Sequence, residues 1–196
     1  MKRSFDLIAA GTGLTLLAPV FVLISTMIKL TSPGPVFYRG VRIGLNGRPF
    51  RIFKFRSMIP DAELKGSTAT AHNDPRVTRI GRWLRKWKLD ELPQLLNVIR
   101  GEMSIVGPRP EVEEHVACYN AYERIILSVK PGITDEASIR FRNLGDLLDS
   151  DDPNTLFIQK YRDEKNRLRV RYVQTQTFLG DLRLVFRSIF RVVVRR

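Results

Sequence analysis

The stretch Phe5 to Ile28, FDLIAAGTGLTLLAPVFVLISTMI, constrains this chain more than any other. As a helix it would be roughly 30 Å long or more, enough for the hydrocarbon layer of a bilayer, and its one charge, Asp6, stands at the edge. A cleaved signal peptide fits poorly: the apolar run is long for an h-region, and no small-x-small site is followed by a polar start. Two arrangements remain open. Ala18-Pro19 lies near the middle, where proline removes a backbone donor and crowds the preceding turn. Lys2 and Arg3 precede the stretch, and Lys29, Arg39, Arg42 and Arg48 follow it. The positive-inside tendency would keep both flanks cytoplasmic, which a helix broken at Pro19 and returning to the same face satisfies. A proline-kinked spanning helix is the alternative. We expect the re-entrant form, with residues 1–31 in the membrane and residues 32–196 as a cytosolic catalytic domain.

The domain after the linker Ser32-Pro33-Gly34-Pro35 is long enough to bury a core, and 43% hydrophobic residues argue against disorder. A net charge of +13 asks for an anionic partner: nucleic acid, an anionic membrane surface or phosphorylated substrates. The single cysteine, Cys118, cannot form an internal disulfide and is expected as a small buried hydrophobe. Val36 to Met58 carries β-rich runs on either side of Asn46-Gly47, a hairpin signal. Asp61 to Asp74 reads as a short helix and loop, and the acidic stretch Asp146 to Asp152 as a solvated loop.

Two later helices are amphipathic. Ile80, Trp83, Leu84 and Trp87 fall on one helical face among several cations, a pattern that suits a membrane interface or an ordinary core-facing helix. Across 178–196, Arg183, Arg187, Arg191 and Arg195 recur every four residues in an otherwise apolar body. An interfacial helix with arginines near anionic headgroups fits, as does a core-packed terminal helix with a solvated basic face.

The chemistry is concentrated between Lys54 and Arg142. Asp90-Glu91 has two readings. Asp90 can be the N-cap of a helix from Glu91 to about Ile99, with Pro93 in the first turn. Alternatively, carboxylates near Arg85 and Lys88 would be kept ionised, as a nucleophile or metal ligand must be. Downstream, Gly107-Pro108-Arg109-Pro110 is a stiff loop fixing one guanidinium, a group suited to gripping phosphate, and Lys130-Pro131-Gly132-Ile133-Thr134 is a second such loop. Neither has Walker or dinucleotide-binding glycine spacing. His72 and His115 lack His or Cys at metal-ligand spacing and are expected on the surface or satisfied in the core.

The ordered set FDLIAA…AP…KFRSM…DPRVTRIGRWLRK…KLDELPQLLNVIRGEMSIVGPRP…KPGIT resembles the bacterial sugar transferase family, the small monotopic phosphoglycosyl transferases. The likeness runs from about Lys2 to Arg142, and LDELPQLLNVIRGEMSIVGPRP is its most specific block. It implies an α/β fold, mostly helical with a small β-hairpin, in a monotopic membrane protein with a re-entrant helix-break-helix and interfacial amphipathic helices. The length is that of the minimal form of the family. The implied reaction moves a phosphosugar from a nucleoside-diphosphate sugar, expected to be a UDP-sugar, to polyprenol (undecaprenyl) phosphate, releasing UMP through an aspartyl-phosphosugar intermediate. By this likeness Asp90 is the nucleophile, and Glu91 helps organise Mg²⁺ or the acceptor, with both carboxylates as metal ligands. Lys54, Arg85, Arg109 and Arg142 bind phosphate or donor, and Pro19 is structural.

The implied partners are the nucleotide sugar, polyprenol phosphate and anionic lipids at the cytoplasmic face of the bacterial inner membrane, with a homodimer possible and no nucleic acid. Two departures stand out: Ala18-Pro19 where the family often has Ser-Pro, and Asp135-Glu136-Ala137-Ser138 where many members have Gly-Trp-Ala-Gln. The rival readings are a membrane-tethered nucleic-acid module, resting on charge alone and lacking a recognisable motif or stacking aromatics, and a non-catalytic membrane scaffold indifferent to loss of the dyad.

Overall fold

The computed structural model describes residues 1–62, 74–142 and 153–193. The expected helix and loop at Asp61–Asp74 lie largely outside them, as do His72, the acidic loop and Arg195. Among the described residues the architecture is mostly helical with three two-stranded sheets. Helix α1 (Lys2–Thr31) is one helix with Pro19 inside it. Then come β1 (Phe37–Tyr38), β2 (Val41–Ile43), β3 (Pro49–Arg51) and β4 (Lys54–Phe55), followed by α2 (Arg79–Trp87), α3 (Gln94–Arg100) and β5 (Ser104–Val106). The chain continues through α4 (Glu113–Ala117), β6 (Gly132–Thr134) and α5 (Glu136–Arg140). A helical turn, Pro153–Leu156, runs through a π-helical turn at Phe157–Tyr161 into α6 (Arg162–Thr175), and α7 (Phe178–Val193) ends the described chain.

β2 and β3 pair antiparallel in the register Val41–Arg51, Arg42–Phe50 and Ile43–Pro49. The turn between them has Asn46 at φ 55° and Gly47 at φ 75°, left-handed values that Asn and Gly tolerate best. The hairpin signal is therefore borne out. β1 pairs antiparallel with β4, and β5 pairs parallel with β6.

Both ends of α1 pack on this body. Asp6, the lone charge of the apolar stretch, is buried and accepts hydrogen bonds from Ser104 Oγ and the Ile105 N–H, both at 3.0 Å. Arg3 donates to the carbonyls of Val98 and Ile99 at the end of α3. Eighteen or more residues later, Ile24 and Ile28 join Phe55 and Leu84 in a second core cluster. In α1 only Asp6, Ala10, Ile24 and Ile28 are buried, while Leu16, Val22 and Leu23 between and beside them are exposed.

On α2, Leu84 is fully buried and Ile80 packs beside it, but Trp83 is exposed. Gly81 sits against the Ser57 backbone, where an added Cβ would lie 1.9 Å from the Ser57 carbonyl oxygen. Cys118, expected inside, is exposed, because short α4 turns His115 inward and leaves the thiol on its outer side, donating to the Glu114 carbonyl at 3.4 Å. His115 is buried beside Glu111 and the Phe157 ring, a satisfied core position.

Candidate active site

Helix α2 ends in a tight reversal. Lys88, at φ 58°, takes the left-handed conformation and closes the helix by donating its N–H to the Arg85 and Leu84 carbonyls. The chain then makes one 3₁₀ turn, Leu89–Glu91, before α3 begins. That turn carries the acid pair. The capping reading of Asp90 is overturned: α3 begins at Gln94 with Pro93 in the cap position and no side-chain cap, and Asp90 sits three residues too early to serve it. The left-handed Lys88 ends one helix, so a separate turn intervenes before the next.

Asp90 is buried, and its Oδ1 has no hydrogen-bond partner. Glu91 is held by cations instead. Arg109 grips it with both terminal nitrogens, Nη1 to Oε2 at 2.8 Å and Nη2 to Oε1, and Lys54 Nζ donates to Oε1 at 3.0 Å. This two-pronged pairing is the geometry that guanidinium favours with carboxylate. Arg85 donates from Nε to Ser57 Oγ at 2.9 Å, and its charge is felt at Asp90.

The two acids are driven apart electrostatically. Desolvation pushes the Asp90 carboxyl up from the ordinary carboxylate range, the neighbouring Glu91 charge adds to this, and Lys54, Lys88 and Arg85 offset part of it. Burial would also raise Glu91, but the charges of Arg109 and Lys54 outweigh it and hold that carboxyl well below its usual range. Lys54 is itself lowered, chiefly by burial, with Glu91 opposing. Glu91 is thus a fixed anion already neutralised by two cations, and Asp90 is the carboxylate with an oxygen to spare.

Distant elements build this geometry. Buried Asn97 on α3 accepts from the Phe53 N–H at 2.9 Å and donates to the Arg51 carbonyl at 2.9 Å and to Glu102 at 2.7 Å, pinning the strand pair that presents Lys54. Arg109 stands on a loop where two segments of the chain cross: the Gly107 N–H donates to the Thr134 carbonyl at 3.1 Å, and the Gly132 N–H donates to the Pro108 carbonyl at 3.0 Å. A Cβ on Gly132 would fall 2.0 Å from the Gly107 nitrogen, so the approach requires glycine.

Of the residues singled out in the sequence, Lys54, Arg85, Asp90, Glu91 and Arg109 share this site. Arg142 is half-buried just past α5. Asn97, Ser57 and Gln94 were not singled out, although all three lie within the quoted motifs. Gln94, fully buried four residues after Asp90, has neither amide atom hydrogen-bonded.

The Mg²⁺ implied by the resemblance can be tested against these donors. Among the described residues no three His, Cys, Asp or Glu gather into a ligand cluster. Magnesium, however, is commonly bound by one or two carboxylates with water and substrate phosphates completing the shell. Asp90 Oδ1 fits that role as a hard oxygen without a partner, whereas the Glu91 oxygens already accept from Lys54 and from both terminal nitrogens of Arg109.

Comparison with known proteins agrees with the motif. The family model described as bacterial sugar transferase matches residues 1–195. The exopolysaccharide production protein ExoY of Rhizobium meliloti is 40% identical over the whole chain, which covers 86% of that protein. An undecaprenyl-phosphate glucose phosphotransferase of Komagataeibacter xylinus is 41% identical, and the UDP-glucose:undecaprenyl-phosphate glucose-1-phosphate transferase of Escherichia coli is 37% identical; the chain covers all of its own length but only 36% and 41% of theirs.

Proposed function

Because the chain belongs to the bacterial sugar transferase family and is a transferase, we propose that it transfers a phosphosugar from a UDP-sugar to undecaprenyl phosphate, releasing UMP, as the first membrane step of glycan or exopolysaccharide assembly. The names of the Komagataeibacter and Escherichia relatives support the acceptor and the reaction class. The observation that carries the mechanism is the buried Asp90 oxygen without a partner, beside a Glu91 already clamped by Arg109 and Lys54.

Asp90 attacks the β-phosphorus of the donor; an Asp–O–P bond forms while the bridging P–O bond to UMP breaks. An oxygen of the lipid phosphate then attacks the same phosphorus, and the Asp–O–P bond breaks to regenerate the carboxylate. The barrier is charge repulsion between carboxylate and diphosphate, which Lys54, Arg85 and Arg109 reduce while stabilising charge on the departing phosphate. Mg²⁺, when bound, would supply the same kind of charge stabilisation. Glu91 orients Arg109 and Lys54 toward that charge.

The direct test is a panel of UDP-sugars with undecaprenyl phosphate, scored by UMP release. Release that depends on the lipid acceptor is expected with at least one sugar, and none with any sugar defeats the proposal. The pH profile is a second check. Asp90 must be ionised to attack, and burial together with Glu91 raises its pKa. Activity is therefore lost as pH falls through a point above the roughly 3.9 of an unperturbed aspartate. An acid limb of kcat/KM at or below that value would contradict Asp90 as the nucleophile.

We also place the protein on the cytoplasmic face of the inner membrane with α1 re-entrant. A helix that crossed some 30 Å of hydrocarbon would carry one end away from a domain on the other side. Here Asp6 and Ala10 near one end, and Ile24 and Ile28 near the other, are buried against one body, so neither end is carried away from it. Because α1 runs through Pro19 as one helix, the return requires a bend at that proline rather than a break. Exposed Leu179, Phe186, Ile189 and Phe190 on α7, whose Phe178 ring meets Phe5 edge-on at 5.6 Å, would lie in the same interface. In a Cys118→Ser background, Ser4→Cys and Thr31→Cys should both be labelled only from the cytoplasmic side. Labelling of Ser4→Cys from outside would mean a spanning helix.

A further inference from the structure

The tail after Asn143 carries no motif, yet one of its residues is among the most buried in the molecule. Arg169, on α6, is 2% exposed. Its Nη2 donates to Glu111 Oε1 at 2.7 Å, its Nη1 to Asn166 Oδ1 at 3.2 Å, and its Nε faces Asp135 Oδ2 at 3.5 Å. Both carboxylates lead to the same place. Asp135 Oδ2 accepts the backbone N–H of Arg109 at 3.0 Å, while its Oδ1 accepts the Ser138 N–H and caps α5. Glu111 follows Pro110, and its carbonyl accepts the Ile43 N–H at 3.0 Å. Lys165 and His115 also face Glu111, at 4.0 and 3.4 Å.

We propose that Arg169, Asp135 and Glu111 form a positioning device that fixes the backbone on both sides of Arg109, so that its guanidinium meets Glu91 and, in the reaction proposed above, the donor diphosphate. Arg109 lies between two prolines that restrict their own φ, but each proline also lacks an N–H with which to tether the loop. The tether comes from Asp135 on the Arg109 N–H and from Arg169 on Glu111. One buried guanidinium reaches both anchors, Glu111 by a hydrogen bond and Asp135 by a 3.5 Å ion pair through an Nε that makes no hydrogen bond. A misplacement of the order of 1 Å in such a group is enough to weaken catalysis. None of the three is a catalytic residue; they act through Arg109.

The experiment uses the full chain in lipid nanodiscs. Arg169→Gln and Asp135→Asn are made singly and in an Arg109→Ala background, with two readouts: UMP release with the active donor, and amide hydrogen exchange across residues 107–111 without substrate. Arg169→Gln should lower kcat/KM by about tenfold to a hundredfold. In the Arg109→Ala background it should cost less than about threefold, because the residue it positions is gone. Exchange across 107–111 should quicken by at least about tenfold while 94–100 is unchanged. Asp135→Asn keeps an acceptor for the Arg109 N–H but loses its charge for Arg169, so its loss should be smaller than that of Asp135→Ala. If Arg169→Gln does not fold, Arg169→Lys and Asp135→Asn give the same two readouts. A full Arg169 cost that persists without the Arg109 side chain, or unchanged exchange at 107–111, overturns the proposal. The inference depends on the phosphosugar-transfer reading only for its kinetic arm. A wild-type protein that releases no UMP defeats that reading, while the exchange arm still decides the positioning.

Discussion

Replacing Asp90 by Asn is expected to reduce phosphosugar transfer by a thousandfold or more, the order seen when a nucleophile is removed, without loosening the fold. The two halves of this expectation have one cause. Desolvation, and then Glu91, favour the neutral form of the Asp90 carboxyl, and its Oδ1 has no partner to repay burial. A raised folded-state pKa means that stability declines as pH rises through the ordinary aspartate range toward that higher value. Once ionised, Asp90 is therefore a cost to the fold. The neutral amide removes that cost, so thermal melting of Asp90→Asn in nanodiscs should match or exceed the wild type. A marked drop in melting temperature, or transfer near the wild-type rate, would refute this account. A residue that weakens the fold and sustains activity is serving the reaction.

Arg109→Ala should lower transfer by about a hundredfold to a thousandfold, the range for losing a charge-stabilising donor. Unlike Asp90→Asn, it should also destabilise. It leaves the Glu91 side chain, 12% exposed, with Lys54 as its ion-pair partner, at about 1–3 kcal/mol. The pH dependence follows from the sign. Glu91 is held well below its usual range, so its contribution to stability is present above the unfolded value and lost as pH falls through the lower folded one. Without Arg109 that loss should begin at higher pH, nearer the roughly 4.3 of a free glutamate. Arg109→Lys should recover only part of the activity, because an ammonium cannot make the two-pronged contact. Full recovery would show that charge alone is sufficient. The two variants thus separate the roles of the acid pair, one carboxylate kept unpartnered and the other kept clamped.

Particular residues show how far the linear chain could be read. Asn46-Gly47 announced its turn because left-handed backbone angles are accessible to few residue types. Asp90, Glu91 and Arg109 were legible because they lie in a block whose order is itself distinctive, and Lys54 because its KFRSM motif belongs to the same ordered set. The role of Asp90 at close range was not. A capping pattern depends on where the helix starts, and a left-handed Lys88 with an intervening 3₁₀ turn moved that start to Gln94. Cys118 was misplaced because burial of a small residue depends on which side of a five-residue helix faces inward.

What the sequence by itself determined is the chemistry available: an apolar helix long enough for a membrane, an acid pair, and a surplus of cations able to meet diphosphate and lipid headgroups. Those are properties of composition and local order, and they survive without coordinates. The tertiary structure alone decided which carboxylate is clamped and which keeps a free oxygen, and that Arg169 stands behind the Arg109 loop. The reason is physical. A buried ion pair between residues 58 positions apart leaves no periodicity or local propensity in the chain, because its partners become neighbours only when the fold excludes water from between them.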